Sequence, residues 1–406
     1  MFAGKTHDTV LVMLVIVAVA LIVAVTAPAF LPPDEAKAAA YPTPKAPQPA
    51  TALAHDVPSI SEETVRRKGL SLREAEYYQR RDGRRVQCLL CPTYCLLADG
   101  QRGQCRARMN IGGRLRSLVY ARVVAVQIDP VEKKPLNHFL PGSRTFSIAT
   151  AGCNLGCIFC QNWSISQALP EEASFRELSP AEVVDLAAKY RCEGIAYTYT
   201  EPTAFFEYMR DCAKLARERG IRNQMITCGY INPEPLKELC KYLDAANVDL
   251  KGFSEEFYQT YCHASLQPVL ETLKVMRAEG VWVEITNLVI PQANDDPVLI
   301  REMCKWIVAN LGRDVPLHFS RFHPDYRLRD RPPTPTETLV RAKQIAEEEG
   351  IRYVFIGNVH VPGGADTRCP ACGRTLIERI GFFVKSNHVK DGKCEFCGAA
   401  IPGVWK

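Results

Sequence analysis

Cys153-Asn154-Leu155-Gly156-Cys157-Ile158-Phe159-Cys160 sets three thiols in a Cys-x3-Cys-x2-Cys run. Three thiolates can hold a four-iron, four-sulfur cluster without saturating it, whereas electron-carrying runs supply four. The next cysteine, Cys192, lies too far along the chain to belong to the same loop. One iron would then be open to a ligand. Zinc is the competing occupant, but zinc sites favour paired Cys-x2-Cys knuckles with four ligands. Cys153, Cys157 and Cys160 are therefore expected both to ligate iron and to carry the chemistry.

Two further cysteine groups flank this run. Cys369-Pro370-Ala371-Cys372-Gly373 and Cys394-Glu395-Phe396-Cys397-Gly398 are knuckles 21 residues apart, the pattern of a zinc ribbon, with rubredoxin-type iron as the alternative. Cys88-x2-Cys91-x3-Cys95-x9-Cys105 offers four thiols in one loop-rich segment, enough for zinc or for a saturated auxiliary cluster. Spacing does not choose between them. Cys192, Cys212, Cys240, Cys262 and Cys304 stand isolated and read as small buried side chains. The 17 cysteines are too few for a disulfide scaffold in 406 residues, and their grouping implies a reducing compartment.

These groups need elements to position them. From Thr145 onward short apolar, β-branched runs alternate with amphipathic stretches. Strands are expected at Thr145–Thr150, Gly194–Thr200, Gln224–Thr227, Asn247–Leu250, Val281–Ile290, Pro316–Phe319 and Tyr353–Ile356. Helices are expected at Pro180–Lys189, Thr203–Arg219 and Thr336–Glu349, the last two closed by Gly220 and Gly350. Repeated strand–helix units imply an α/β fold with a parallel sheet, and chemistry at its strand C-termini. Upstream, Ser61–Arg80 reads as a helix capped by Ser61, ahead of the Cys88 module. The organisation expected is 61–144 for that helix and module, 145–365 for the core and 366–406 for the ribbon. The net charge of +5 is spread without a basic run, so no nucleic-acid partner is expected.

Val10–Val25 is an unbroken apolar run, and no charge occurs between Asp8 and Asp34, which predicts a transmembrane helix over 9–31. A cleaved signal peptide is the alternative, since Lys5 precedes the run and Ala36–Ala39 follow it. Eight of the 28 prolines fall between Pro28 and Pro58, so 32–60 reads as an extended linker. Flanking charges favour export of the C-terminal side. Oxygen-sensitive chemistry instead favours a membrane-anchored protein with its catalytic part in the cytoplasm.

The Cys153 run resembles the radical S-adenosylmethionine (SAM) superfamily. That resemblance implies a 4Fe-4S cluster, SAM bound at its open iron, a partial (β/α) barrel and an electron donor such as ferredoxin or flavodoxin. It implies further that Phe159 packs near the adenine and that Thr200 and Glu201, in Tyr199-Thr200-Glu201-Pro202, take the place of the superfamily's Gly-Gly-Glu-Pro at the methionine ammonium. Asp249 and Lys251 would help hold the methionine end, Glu284 and Asn287 the ribose, and His323 would approach the cofactor. Activases in this branch carry an aspartate before Thr-Asn-Gly where this chain reads Ile226-Thr227-Cys228-Gly229; Cys228 would lie near the mouth. The Cys88 segment, Asp129–Pro135, Gln161–Ser166 and Ile401–Trp405 together resemble the AmmeMemoRadiSam-system radical SAM enzymes, similar to pyruvate formate-lyase activating enzymes. Memo-like and AMMECR1-like partners are implied, with the Cys88 module as a lid over the mouth. A glycyl-radical-enzyme activase and a membrane-tethered zinc-binding interaction protein are the alternative functions.

Overall fold

The computed structural model describes residues 57–406. The expected membrane span over 9–31 and most of the 32–60 linker lie outside the described residues. Among the described residues no helix is long and apolar enough to cross a membrane.

Helix α1 covers only Glu62–Arg67, capped by the Ser61 side chain at the Thr64 amide. The expected continuation to Arg80 is a correction. Gly69 turns into the left-handed region at φ +67°, and the chain beyond it pairs as strands instead. Strands β1 (Arg73–Glu74), β2 (Tyr78–Arg80), β3 (Val86–Cys88), β4 (Leu96–Leu97), β5 (Arg108–Ile111) and β6 (Arg114–Ser117) form two small antiparallel sheets, ordered β1-β6-β5 and β2-β3-β4.

The core is a nine-stranded sheet. Its strands are β7 (Arg122–Pro130), β8 (Arg144–Thr150), β9 (Arg176–Glu177), β10 (Gly194–Tyr197), β11 (Arg222–Thr227), β12 (Ala245–Asp249), β13 (Trp282–Val289), β14 (Leu317–Arg321) and β15 (Val354–Gly357). The order is β15-β14-β13-β12-β11-β10-β8-β7-β9, with β8 and β10–β15 all parallel and β7 antiparallel to β8. No ladder joins the two edge strands, so the barrel is partial, as expected. Each parallel crossover carries a helix: α2 (Pro180–Lys189), α3 (Phe206–Glu218), α4 (Pro233–Cys240), α5 (Gln267–Ala278), α6 (Pro297–Leu311) and α7 (Thr336–Glu348). Ser179 and Glu182 form a capping box on α2, and Asp296 caps α6 ahead of Pro297. Helices on the outside leave β10 buried along its whole length, which explains its unbroken apolar sequence.

The C-terminal segment folds as β16 (Thr367–Arg368), β17 (Thr375–Ile380), β18 (Phe383–Asn387), β19 (Val389–Lys390) and β20 (Lys393–Cys394). Arg379 fastens it to the core by donating to the Asn137 carbonyl at 2.7 Å and to Ala365 O at 3.0 Å. His138 sits fully buried in the same joint, bonded to Pro402 O at 2.8 Å and Thr367 Oγ1 at 3.2 Å.

Burial pulls the His138 pKa down to about 4. The unfolded imidazole titrates near 6.5, so between these values the unfolded chain binds the extra proton. Stability attributable to His138 is full above pH ~6.5 and falls as pH drops toward 4, by about 3 kcal/mol in total. Thermal unfolding between pH 7 and 4.5 is expected to show this slope, and His138→Asn to flatten it.

Candidate active site and metal centres

The C-terminal ends of the parallel strands open onto one cavity of about 760 Å³. That volume lies in the range of small-molecule sites, ~300–1,000 Å³. Cys153, Cys157 and Cys160 line it from the loop after β8, together with Phe159. The loop is held by its backbone: Gly156 N donates to Cys262 O and Ile158 N to Tyr261 O, each at 3.0 Å. Burial pushes the Cys153 and Cys160 thiols up, so a cationic centre is needed to hold them as thiolates. Cys157 is lowered instead, first by a hydrogen bond with Cys262. Cys262, expected to be an isolated core thiol, thus stands against Cys157. Nothing in linear spacing signals that contact, which arises from the fold-back of residues 258–262.

Thr200, Glu201, Asp249, Lys251 and Cys228 face the same cavity from β10, β11 and β12. Lys251 Nζ stands 3.0 Å from Asp249 and 5.9 Å from the centre of the Phe159 ring. Burial disfavours its charge, yet Asp249 and the neighbouring thiols Cys157, Cys262 and Cys228 raise its pKa well above that of a free lysine. A fixed opposite-charge pair at the cavity wall suits a zwitterion. Glu201 is committed to the protein: Oε1 accepts from Thr203 N, Thr203 Oγ1 and Thr227 Oγ1, and Oε2 from the Cys228 amide. It caps the turn begun by Pro202 while lining the cavity.

Three expected cofactor contacts are corrected. Glu284 is fully buried below the cavity, accepting from Asn137 N at 2.9 Å and His138 N at 2.7 Å, and bonded to His318 Nε2 at 2.7 Å. It lies near the start of β13, one layer beneath the cavity-lining Thr286. Asn287 has the opposite parity on that strand and donates away from the cavity to Leu250 O at 2.7 Å. His323 is exposed outside the lining, bonded to Gln161 Nε2 at 3.0 Å.

Sequence spacing gave no role to a polar network at the cavity wall. Lys134 Nζ is 2.6 Å from Asp129 Oδ2, which also accepts from Ser147 Oγ and Tyr199 OH. Burial draws the Lys134 pKa down to about 8 against the pull of Asp129. Tyr199 occupies the left-handed region at φ +64°, which strains any residue but glycine. Its hydroxyl bond to Asp129 and the Lys134 cation 4.3 Å from its ring centre offset that strain.

The ribbon thiols converge. Cys369, Cys372, Cys394 and Cys397 lie within 4.8 Å of one another, with sulfurs 3.6 Å apart for Cys369 and Cys397 and 3.9 Å for Cys372 and Cys394. A tetrahedron with metal–sulfur bonds of ~2.3 Å has edges of about 3.8 Å, so one metal ion fits. Cys88, Cys91, Cys95 and Cys105 line a separate small cavity beside Asn154. None of the Cys88 module lines the main cavity, so its expected role as a lid is corrected; Gly381 and Phe382, at the tip of the β17–β18 hairpin, stand there instead.

Residues 147–304 match the family model described as the radical SAM superfamily. An uncharacterized protein of Methanocaldococcus jannaschii is 48% identical over 332 residues, covering 81% of this chain and 99% of its own. The chain carries a radical SAM domain. A pyruvate formate-lyase-activating enzyme of Clostridium pasteurianum is 26% identical over 211 residues, which is 47% of this radical SAM chain and 84% of the relative. Among solved structures, a radical SAM methyltransferase from Sphaerobacter thermophilus aligns with a TM-score of 0.43 and 19% identity, over 58% of this chain and 71% of that one.

Proposed function

We propose that this protein reductively cleaves SAM at a 4Fe-4S cluster held by Cys153, Cys157 and Cys160 and abstracts a hydrogen atom from a protein substrate. The observation that carries this is the placement of three thiols and the Asp249–Lys251 pair around one cavity at the strand ends. Bound cluster and SAM would supply a single electron and a 5'-deoxyadenosyl radical. Lys251 would meet the methionine carboxylate and Asp249 the ammonium, while Phe159 gives an apolar wall for the nucleoside. Thr200 Oγ1, already donating to Thr150 O, offers a lone pair toward the cavity. Zinc is proposed for the ribbon.

A macromolecular substrate is favoured by the apolar rim: Phe382 at the cavity mouth is flanked by the exposed Ile380 and Phe383. Memo-like and AMMECR1-like proteins are the proposed partners, with ferredoxin or flavodoxin as electron donor. The second function, activation of a glycyl-radical enzyme, is supported by the names of relatives such as the Clostridium pasteurianum activase. Reduced protein is expected to release 5'-deoxyadenosine, faster with the true partner present. A labelled partner would then be informative: deuterium arriving in deoxyadenosine from glycine supports the activase function, and from any other residue the first.

Lys251→Met removes one charge-assisted contact, valued at ~1.5–3 kcal/mol. SAM affinity is expected to fall about 10- to 100-fold in calorimetric titration, with iron content unchanged.

A further inference from the structure

We propose that Cys88, Cys91, Cys95 and Cys105 hold a second, fully coordinated iron–sulfur cluster that passes electrons to the Cys153 site; this rests on the radical SAM function proposed above. The four cysteines line one small, mostly apolar cavity of about 20 Å³. A single water needs only ~10–15 Å³ but also two to four polar partners, and these walls are almost wholly sulfur and carbon. The space suits an inorganic group that bonds to sulfur.

Spacing separates a cluster from zinc. Among the described residues, only the ribbon gathers three or more cysteine, histidine or carboxylate ligand atoms within 4.8 Å of one another. Neither the Cys88 quartet nor the Cys153 trio is gathered in that way. A lone zinc ion draws its sulfurs to about 3.8 Å. A cluster gives each thiolate its own iron and holds the sulfurs further apart.

The surroundings match an anionic cluster. Amides of Leu90, Thr93, Gln104, Ala107 and Arg108 donate toward the four sulfurs, the bonds by which proteins tune cluster potential. Arg108 lines the same cavity, is 1% exposed, and its Nε has no hydrogen-bond partner. Its guanidinium, ion-paired with buried Glu207, also stands beside Cys88 and Cys105.

Position gives the role. Asn154, the neighbour of Cys153, forms part of the quartet's wall. On the other side of Cys153, a Cβ on Gly152 would fall 2.4 Å from the Cys105 carbonyl oxygen, so the two loops touch and only glycine fits. All four ligands are thiols and none lines the main cavity, so the cluster has no free iron for substrate. One electron enters it from a one-electron protein donor and leaves it for the Cys153 cluster, with no bond made or broken.

The test compares full-length, anaerobically reconstituted proteins by iron, sulfide and zinc analysis and by electron paramagnetic resonance. Wild type is expected to carry about two four-iron clusters. A Cys153→Ala/Cys157→Ala/Cys160→Ala variant, which leaves the Cys88 module intact, is expected to keep half the iron, with a reduced signal indifferent to SAM. Cys91→Ser/Cys95→Ser is expected to keep the other half, with a signal that SAM alters. Loss of all iron from the triple variant, with two zinc ions per chain remaining, would overturn the proposal. If only the Cys153 assignment is wrong, the triple variant will match wild type while Cys91→Ser/Cys95→Ser loses its iron.

Discussion

Cys157→Ala is expected to reduce deoxyadenosine formation to the uncatalysed background while the ribbon keeps its metal. Cys157 lies at the centre of the Cys153–Cys160 loop, in contact with Cys262 and facing the cavity. Alanine is smaller and demands no rearrangement of the two backbone bonds that hold the loop at Cys262 and Tyr261. The ribbon thiols belong to a separate group with its own core of Leu376, Ile377 and Ile401. Loss of activity should thus come without loss of fold. Anaerobic turnover, circular dichroism and metal analysis on one preparation check all three points.

Glu284→Ala is expected to destabilise the protein by ~3–5 kcal/mol, the cost of breaking a buried charged network. Its carboxylate satisfies the Asn137 and His138 amides and the Trp282 indole, and pairs with His318. Removing it strands two buried amides, the half-buried Trp282 indole and His318 at once. Burial opposes its ionisation, but His318, His138 and the Asn137 amide hold its pKa below the ordinary carboxylate range. Its stabilisation is therefore present above the unfolded carboxylate pKa and lost as pH falls through the lower folded value. Urea unfolding at pH 7 reads the loss. Since Glu284 does not line the cavity, SAM affinity of the folded fraction is expected to stay unchanged.

Glu284 also shows what the sequence could and could not reveal. The strand at Val281–Ile290 was legible from its β-branched run, and so were the other six parallel strands, because burial on two faces leaves a strong apolar signal, whereas α2 was legible from its amphipathic pattern. Depth along a strand has no such signal: Glu284 and Thr286 share a face, yet only Thr286 reaches the cavity. Thr200, Glu201, Asp249 and Lys251, singled out by the family resemblance, reach the cavity because each lies at or just beyond the C-terminal end of a strand, where the parallel topology fixes the mouth. The Asp129–Lys134–Tyr199 network was not legible, since it joins β7 and its following turn to a residue 65 positions after Lys134. Short strands in the Cys88 module gave no period long enough to read, and Gly69 ended a helix that acidic and basic residues alone would have continued.

The open iron is tested most directly by electron–nuclear double resonance on the reduced protein with SAM carrying nitrogen-15 in its amino group. Direct coordination predicts a strong nitrogen coupling that disappears in Cys157→Ala. A cluster signal with no nitrogen coupling, unmoved by SAM, would contradict the assignment of Cys153, Cys157 and Cys160 as the site of cleavage.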